Sequence, residues 1–193
     1  MYIYAIHNCI PIRYNEPMES NLLAILSARD ARAARQKRLQ KAYPGAALLC
    51  LTVNLPGPEK RTPDGDRVFQ AGLSALNHAL AQTDIPLRHM ELHRRPTGNE
   101  GYFLLSAAPE RVKEMACQLE DSLPFGRLLD ADVLSSAGIP MSRSSLGLAS
   151  RCCLVCGREG AFCASRRAHP LPELLAAFHK LAETCPEESR CSN

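Results

Sequence analysis

The architecture of this chain can be predicted outward from one segment, GRLLDADV at residues 126–133. From Leu129 onward apolar and acidic residues alternate, which is typical of a β-strand with one covered face. Alternate side chains of a strand point the same way, so Asp130 and Asp132 would project from one face about 7 Å apart. Paired carboxylates suit a hard cation such as Mg²⁺. On this pattern alone, two acids at the exposed end of a strand are the more ordinary interpretation.

The sequence around this segment predicts the other elements of the domain. A continuous apolar run at 46–55, bounded by Pro-Gly pairs, indicates a buried strand. Residues 21–26 begin a helix, and a capping box at 27–30 would restart it as far as the break at Pro44. The remaining predicted helices are 68–81, 109–119 and one from Leu171, and the remaining predicted strands are 87–93, 101–107, 127–134 and 139–143. We therefore expect an α+β domain with a mixed, largely antiparallel sheet and helices on one face.

Composition excludes several classes of protein. With 193 residues, of which 46% are hydrophobic and 22% charged, the chain suits one folded domain rather than a disordered chain. A net charge of +3 is too small to indicate general nucleic-acid binding. No run approaches the roughly 20 apolar residues of a membrane helix, and the first residues lack the pattern of an export signal. We therefore expect a cytoplasmic protein with neither nucleic acid nor membrane as a partner.

Cysteines are concentrated near the C-terminus. The chain has nine, an odd number that cannot all pair, and five of them lie between Cys152 and Cys185. In a protein without an export signal, reduced thiols or metal ligands are more usual than disulfides.

The spacing Cys153-x2-Cys156-x6-Cys163-x5-His169 is typical of a structural zinc site with four protein ligands. Two features leave this open: the six-residue gap is shorter than the usual dozen or so, and Cys152 competes with Cys153 as a ligand. Free buried cysteines are the alternative. His169 could instead act as a general base, but nothing in the sequence places it near the two aspartates.

Basic residues recur in two places that could hold phosphates. Arg29, Arg32 and Arg35 follow one another at three-residue steps, so a helix would present their guanidinium groups on one side. Lys60 follows a rigid Pro-Gly-Pro loop after the buried strand, and Arg67 opens the next helix. Solvated surface charge is the alternative interpretation for both groups.

Five groups of residues, taken in chain order, resemble one protein family. The family is apo-citrate lyase phosphoribosyl-dephospho-CoA transferase, also called citrate lyase holo-acyl-carrier-protein synthase, and the likeness covers roughly residues 22–183. The matching segments are LSARDARAARQ at 26–36, TVNLPGPEK at 52–60, RVFQAG at 67–72, GRLLDADV at 126–133, and the SR pair at 142–143 followed by RCCLVC at 151–156 through His169.

This resemblance implies an activity and roles for particular residues. The enzyme would take 2'-(5''-triphosphoribosyl)-3'-dephospho-CoA and a serine of the apo citrate lyase acyl carrier protein, the gamma subunit, and release diphosphate. Asp130 and Asp132, with Arg127, would be catalytic, and the two aspartates would hold Mg²⁺. The phosphates would be neutralised by Arg29, Arg32, Arg35, Lys60 and Arg67. The rivals are the equivalent transferase for malonate decarboxylase and a non-catalytic zinc-binding adaptor.

The D-x-D strand also resembles that of nucleotidyltransferases of the polymerase-beta type, which usually add a third carboxylate from a later strand. Residues 139–150 contain no acid, so a third ligand would come from Glu59, Asp64 or Asp66, or the fold differs. On this interpretation, the chain divides into an extension at 1–20, a catalytic domain at 21–150, a Cys/His-rich segment with the last helix at 151–183, packed on the same domain, and a flexible tail at 184–193.

Overall fold

A five-stranded sheet forms the centre of the computed structural model, which describes residues 22–186. Every strand pair is antiparallel, and the spatial order is β2-β3-β1-β4-β5. The α+β class is confirmed, although the sheet has no parallel pair and so is not mixed. The strands are β1 Ala47–Val53, β2 Leu87–Arg95, β3 Gly98–Leu105, β4 Leu129–Leu134 and β5 Pro140–Met141.

Five α-helices surround the sheet in the described residues, and one of them, Gly160–Ser165, was not predicted from the sequence. The first is continuous through the predicted restart at Ser27, because that exposed serine is tolerated inside a helix whose neighbours are good helix formers. The helix predicted at 68–81 begins earlier, at Pro63, because Thr62 caps it by accepting a hydrogen bond from the Gly65 amide. The helices are α1 Leu22–Ala42, α2 Pro63–Ala81, α3 Pro109–Ser122, α4 Gly160–Ser165 and α5 Leu171–Ala182.

Helices cover both faces of the sheet, whereas the sequence predicted one. The central strand β1 explains this, because Leu48 and Leu49 point to opposite faces and both are fully buried. The larger core lies between one face and α2, α3 and α5. On the other face, Leu39 of α1 packs on Leu48 and Tyr102. The basic helix α1 is therefore held against the sheet.

Two glycines allow close packing around β4. A Cβ at Gly72 would come within 2.5 Å of a Leu129 methyl group, so α2 can lie directly on the strand only with glycine there. A Cβ at Gly126 would collide with the backbone of Glu120 at the end of α3. Both glycines belong to segments that carry the family resemblance, and both fix where β4 begins.

The C-terminal part of the described chain is attached to the main core. Phe178 and Ala182 of α5, together with Cys185, are buried in the larger hydrophobic core. The predicted extension at 1–20 and most of the predicted tail, 187–193, lie outside the described residues. Among residues 22–186, no helix has both the length and the apolar character needed to cross a membrane.

Candidate active site and metal centre

A cleft of about 230 Å³ opens beside the D-x-D strand. Its walls come from α1, the end of β1 with the loop that follows, the start of α2, the turn between β2 and β3, and β4. Five residues named from the sequence as possible substrate or metal ligands, counting Asp66 as an alternative third metal ligand, thus meet in one place although they are distant along the chain. The polar and charged side chains that line the cleft include Arg29, Arg32, Lys60, Asp66, Asn99 and Asp130.

The two aspartates of β4 lie on the sheet face that α1 covers. The register places Asp130 opposite Thr52 and Asp132 opposite Cys50, on alternate residues of both strands. Desolvation by the surrounding protein, followed by repulsion from the Asp130 carboxylate, raises the pKa of Asp132. A pair of like charges on one face is the environment that a bound cation would relieve.

Two arginines near these aspartates already form ion pairs within the protein. Arg151 places Nη1 3.6 Å from Asp130 Oδ1. Arg32 donates through Nε to Glu100 at 3.0 Å. Burial alone would lower the pKa of Arg32, but the Glu100 carboxylate outweighs it and raises that pKa. The guanidinium group of Arg32 is thus held at the cleft by a buried acid.

Glu100 is a third carboxylate on this face that the sequence interpretation missed. It is 3% exposed and accepts a hydrogen bond from the Tyr102 hydroxyl at 2.6 Å. β1 and β3 pair Leu51 with Gly101, so extending that register by one residue sets Glu100 beside Thr52. The alternation of Glu100, Tyr102 and Leu104 was the available signal, but the strand was predicted to begin only at residue 101.

Of the three acids proposed from sequence as a third metal ligand, Asp66 is the one that the structure places at the cleft. Asp66 lines the cleft. Asp64 instead accepts from Arg67 at 2.7 Å and from the His179 ring at 2.6 Å. Successive helical residues are rotated by about 100°, so Asp66 faces the cleft and Arg67 does not. Glu59 is exposed in the loop before α2 and does not line the cleft.

Three basic residues predicted to act at one site do not line this cleft. Arg35 lies near Glu91 and Glu100 and stacks on the Tyr102 ring. Arg67 is bonded to Asp64. Arg127 donates to the backbone carbonyl of Cys152, which anchors the Cys-rich segment. Acidic partners direct Arg35 and Arg67 away from the cleft, and the contact with the Cys152 backbone does the same for Arg127.

The outer edge of β4 is held by side chains instead of a strand. β5 pairs only with Val133 and Leu134, so the backbone around Ala131 needs other partners. The Ala131 amide donates to Glu120 at 2.9 Å, and its carbonyl accepts from Lys113 at 3.0 Å. These contacts fix the strand segment between the two aspartates.

The sequence contains a signal for Lys113 and Glu120 that lies outside the predicted site residues. Both are buried on α3, and they lie seven residues apart, which places them on the same helix face as the apolar Val112 and Ala116. Charged residues on the apolar face of an amphipathic helix are rarely buried without partners. Their presence there could have indicated a polar contact with the sheet.

Two arginines from the later part of the chain complete this support. Arg143 donates to Glu120 at 3.2 Å, and Arg151 lies 3.5 Å from the same carboxylate. Burial raises the pKa of Glu120, while Arg151 acts in the opposite direction. Arg151 also donates to the Leu129 carbonyl at 2.6 Å. The residue just before the cysteines therefore connects their segment directly to the D-x-D strand.

The ligand atoms of Cys153, Cys156, Cys163 and His169 all lie within 4.8 Å of one another. Cys156 Sγ is 3.5 Å from Cys163 Sγ and 3.3 Å from His169 Nε2. A tetrahedral Zn²⁺ with ordinary bond lengths separates its ligand atoms by roughly 3.5 to 3.8 Å. The four residues can therefore hold a metal ion, and their spacing is compatible with structural zinc.

The surroundings of this cluster answer two questions left open by the sequence. Cys153 belongs to it, while the neighbouring Cys152 is exposed and outside it. The Nδ1 atom of His169 lies 3.4 Å from the Glu173 carboxylate, the outer contact typical of a metal-bound histidine. The Arg158 amide and side chain lower the pKa of Cys156 to about 6, which favours the thiolate. His169 faces the cluster and does not line the cleft.

Comparisons with known proteins agree on one family. The sequence model of the family described as apo-citrate lyase phosphoribosyl-dephospho-CoA transferase matches residues 20–185. A protein of Streptococcus pyogenes serotype M18, named as a probable member of that enzyme class, is 37% identical over 161 residues, covering 81% of this chain and 82% of the relative. An Escherichia coli O139:H28 enzyme of the same name is 35% identical over 157 residues, covering 81% and 85%. Protein CitXG of Haemophilus influenzae is 34% identical over 168 residues, or 87% of this chain and 36% of that protein.

Proposed function

This chain belongs to the apo-citrate lyase phosphoribosyl-dephospho-CoA transferase family, and we propose from that premise that it modifies the apo acyl carrier protein of citrate lyase. The donor would be 2'-(5''-triphosphoribosyl)-3'-dephospho-CoA, and the acceptor a serine of the carrier protein. The observation that carries the proposal is the cleft in which Asp130 lies with Arg29, Arg32 and Lys60. An acidic strand facing a group of cations is the arrangement that transfer from a triphosphate requires.

The proposed reaction is a substitution at the first phosphorus of the triphosphate. The serine oxygen forms a bond to that phosphorus, the bond to the diphosphate oxygen breaks, and the serine proton is released to water. Negative charge develops on the departing diphosphate, so fixed cations nearby lower the barrier.

Three cationic side chains of the cleft can supply that charge. Arg29 is exposed and has no ion-pair partner within the described part of the chain, so it is available to a phosphate. Arg32 is held in position by Glu100. Lys60 donates to the Leu55 carbonyl at 2.6 Å, and burial lowers its pKa. These contacts set Arg32 and Lys60 in place before the substrate arrives, which reduces the cost of ordering them.

The residues that would hold Mg²⁺ are Asp130 and Asp132. Their fit is indicated by their common face and by the raised pKa of Asp132, which reflects desolvation and the neighbouring Asp130 carboxylate. When bound there, Mg²⁺ would neutralise and orient the polyphosphate. Lys113 and Glu120 would keep the two aspartates at fixed spacing through their hydrogen bonds to Ala131.

The Cys/His cluster would hold a structural Zn²⁺ through Cys153, Cys156, Cys163 and His169. Four protein ligands leave no open position for substrate, which separates this site from the chemistry. Its contribution would be to order the segment from which Arg151 reaches the Leu129 carbonyl and Asp130.

The test is the intact mass of purified apo carrier protein after incubation with this protein and the donor. A gain equal to the donor minus diphosphate is expected with Mg²⁺ and not after its removal, and zinc content is measured in both samples so that loss of zinc is not mistaken for loss of Mg²⁺. Transfer only to the malonate decarboxylase carrier protein would assign that partner instead. Bound zinc with no transfer to either carrier would favour a non-catalytic adaptor.

A further inference from the structure

Two arginines, Arg127 and Arg151, hold distant segments of the chain together. Arg127 donates through Nε to the carbonyl oxygen of Cys152. In the other direction, Nη2 of Arg151 donates to the carbonyl oxygens of Arg127 and Leu129, at 2.9 and 2.6 Å. Each arginine therefore binds the backbone beside the other one. The segments joined in this way are the approach to β4 and the chain just before the Cys/His cluster.

The other terminal nitrogen of Arg151 faces two carboxylates. Nη1 lies 3.6 Å from Asp130 Oδ1 and 3.5 Å from Glu120 Oε1. Both distances are longer than a normal hydrogen bond, and the Asp130 side chain is 47% exposed. Arg151 thus orients the Asp130 carboxylate by charge and leaves its oxygens accessible to a ligand. The buried Glu120 carboxylate offsets part of the positive charge of Arg151, which reduces the repulsion of a cation bound at Asp130.

Backbone contacts connect both arginines to the residues that carry the cluster. The Gly160 amide donates to the Arg151 carbonyl at 2.8 Å, and a Cβ on Gly160 would lie 3.2 Å from Arg127 Nη2. Gly160 is the first residue of α4, which carries the ligand Cys163. The ligand Cys153 is two residues after Arg151. A metal ion held by these ligands would fix both neighbourhoods at once, so the placement of Arg151 depends on a complete cluster.

We propose that Arg151 is a positioning residue through which the Cys/His cluster sets the affinity of the cleft for a divalent cation. This inference rests on the proposed function, which assigns Mg²⁺ to the two aspartates of β4. Replacing a residue that orients a metal ligand changes metal affinity by about 10- to 100-fold. The four protein ligands of the cluster leave no open position, so the cluster acts on the cleft through this contact and not through the substrate.

The first experiment measures metal binding to the full chain without donor or carrier protein. Protein supplied with zinc is titrated with Mn²⁺, which prefers the same oxygen ligands as Mg²⁺, and free Mn²⁺ is followed by electron paramagnetic resonance. Binding that is lost in Asp130→Asn defines the cleft site. Arg151→Lys keeps the charge but loses the planar pair of donors, so it should raise the Mn²⁺ Kd of that site by about 10-fold with zinc content unchanged.

Arg166→Lys is the matched control for this replacement. Arg166 belongs to the same segment but is exposed and lies over the Phe162 ring, 4.7 Å from its centroid, so its variant should keep the wild-type Mn²⁺ Kd. Arg127→Met is the second variant if Arg151→Lys does not fold, and it should also raise the Kd because it releases the Cys152 carbonyl. An unchanged Kd in the folded variant, or the absence of an Asp130-dependent Mn²⁺ site in wild-type protein, would overturn the proposal.

A double-mutant cycle then tests whether the cluster acts through Arg151. Cys156→Ser removes a cluster ligand and should raise the Mn²⁺ Kd of the Asp130-dependent site by about 10-fold, measured well below its melting temperature. Adding Arg151→Lys to that variant should cause little further change, because both substitutions break the same connection. A combined rise of about 100-fold would mean that the two residues act independently. That result, or no rise in Cys156→Ser alone, would contradict the proposed coupling.

These measurements keep the positioning role separate from the proposed function, because Mn²⁺ binding requires no turnover. The expected Kd changes without transfer to any carrier protein would count against the transferase activity alone. Transfer by wild-type protein, together with a Kd that Arg151→Lys leaves unchanged, would count against the positioning role alone.

Discussion

The cleft and the Cys/His cluster use their polar side chains in opposite ways. The ligand atoms of the cluster are within 4.8 Å of one another, and all four residues come from one short segment, 153–169. The cleft combines residues as far apart as Arg29 and Asp130, and among the described residues Arg29 has no ion-pair partner. A site whose protein ligands fill all positions around a metal suits a structural ion, whereas a cleft whose charged groups still lack partners suits a substrate.

The largest effect on activity is expected when either aspartate of β4 is removed. Asp130→Ala and Asp132→Ala should each lower transfer to the carrier protein by on the order of 10³-fold, as when a principal group stabilising transition-state charge is lost. Their melting temperatures should stay close to wild type, because Asp130 is half-buried at the cleft and Asp132 is exposed, so neither is part of the core. The measurement is intact-mass kinetics, with Asp84→Ala as an exposed control. Wild-type rates in folded variants would remove the aspartates from the mechanism.

Removing a ligand of the Cys/His cluster should instead lower stability. Cys156→Ser should abolish stoichiometric zinc and lower the melting temperature by about 5–10 °C, equivalent to losing roughly 2–3 kcal/mol of metal-linked stability. Cys152→Ser is the matched control, because that exposed thiol lies outside the ligand group. Metal content by mass spectrometry and thermal melting are the measurements. Full zinc occupancy in Cys156→Ser would show that the ligand set is different.

Two arginines of α1 allow an unpaired cation to be compared with one that already has an acidic partner. Arg29→Ala should raise KM for the donor by about 30-fold, because a cation with no partner in the described structure is proposed to bind phosphate. Arg38→Ala should leave KM unchanged, since Nη2 of Arg38 donates to both carboxylate oxygens of Glu91, at 2.7 and 2.8 Å. Steady-state kinetics with both variants decides this. Equal effects on KM would mean that α1 binds phosphate along its whole length.

The smallest expected effect concerns the ion pairs between the C-terminal half of α1 and Glu91 of β2. Burial alone would raise the pKa of Glu91, but hydrogen bonds from Arg38, His93 and His89 lower it from 4.5 to about 2. A carboxylate with a lowered folded-state pKa adds stability above its unfolded pKa, and this is lost as pH falls through the folded pKa. Glu91→Gln should therefore cost about 1 kcal/mol at neutral pH, and the cost should disappear between about pH 4.5 and pH 2.

Denaturant unfolding at several pH values measures this difference, with the exposed Glu114→Gln as control. A cost that stays constant down to pH 2 would mean that Glu91 stabilises the protein by packing rather than by charge.

The sequence predicted the cluster almost completely and the cleft only in part. The spacing of Cys153, Cys156, Cys163 and His169 is local, so it indicated the ligand set directly. The cleft depends on which helix face meets which strand, and a rotation of about 100° between adjacent residues separates Asp66 from Arg67. The sequence pattern could not give the directions of these two side chains, because α2 begins at the Thr62 cap and its start was predicted too late.

By itself, the sequence determined the class of fold, the shared face of Asp130 and Asp132, and the resemblance to the transferase family. These follow from strand alternation, apolar runs and ordered motifs, all of which are local along the chain. The tertiary structure is needed to bring Arg29, Arg32 and Lys60 to Asp130, to let Glu120 and Lys113 hold the strand between the aspartates, and to bury the Asn99 side chain against Asp66. Those contacts join residues distant in the chain, and packing across the sheet, which covers β1 on both faces, brings them together.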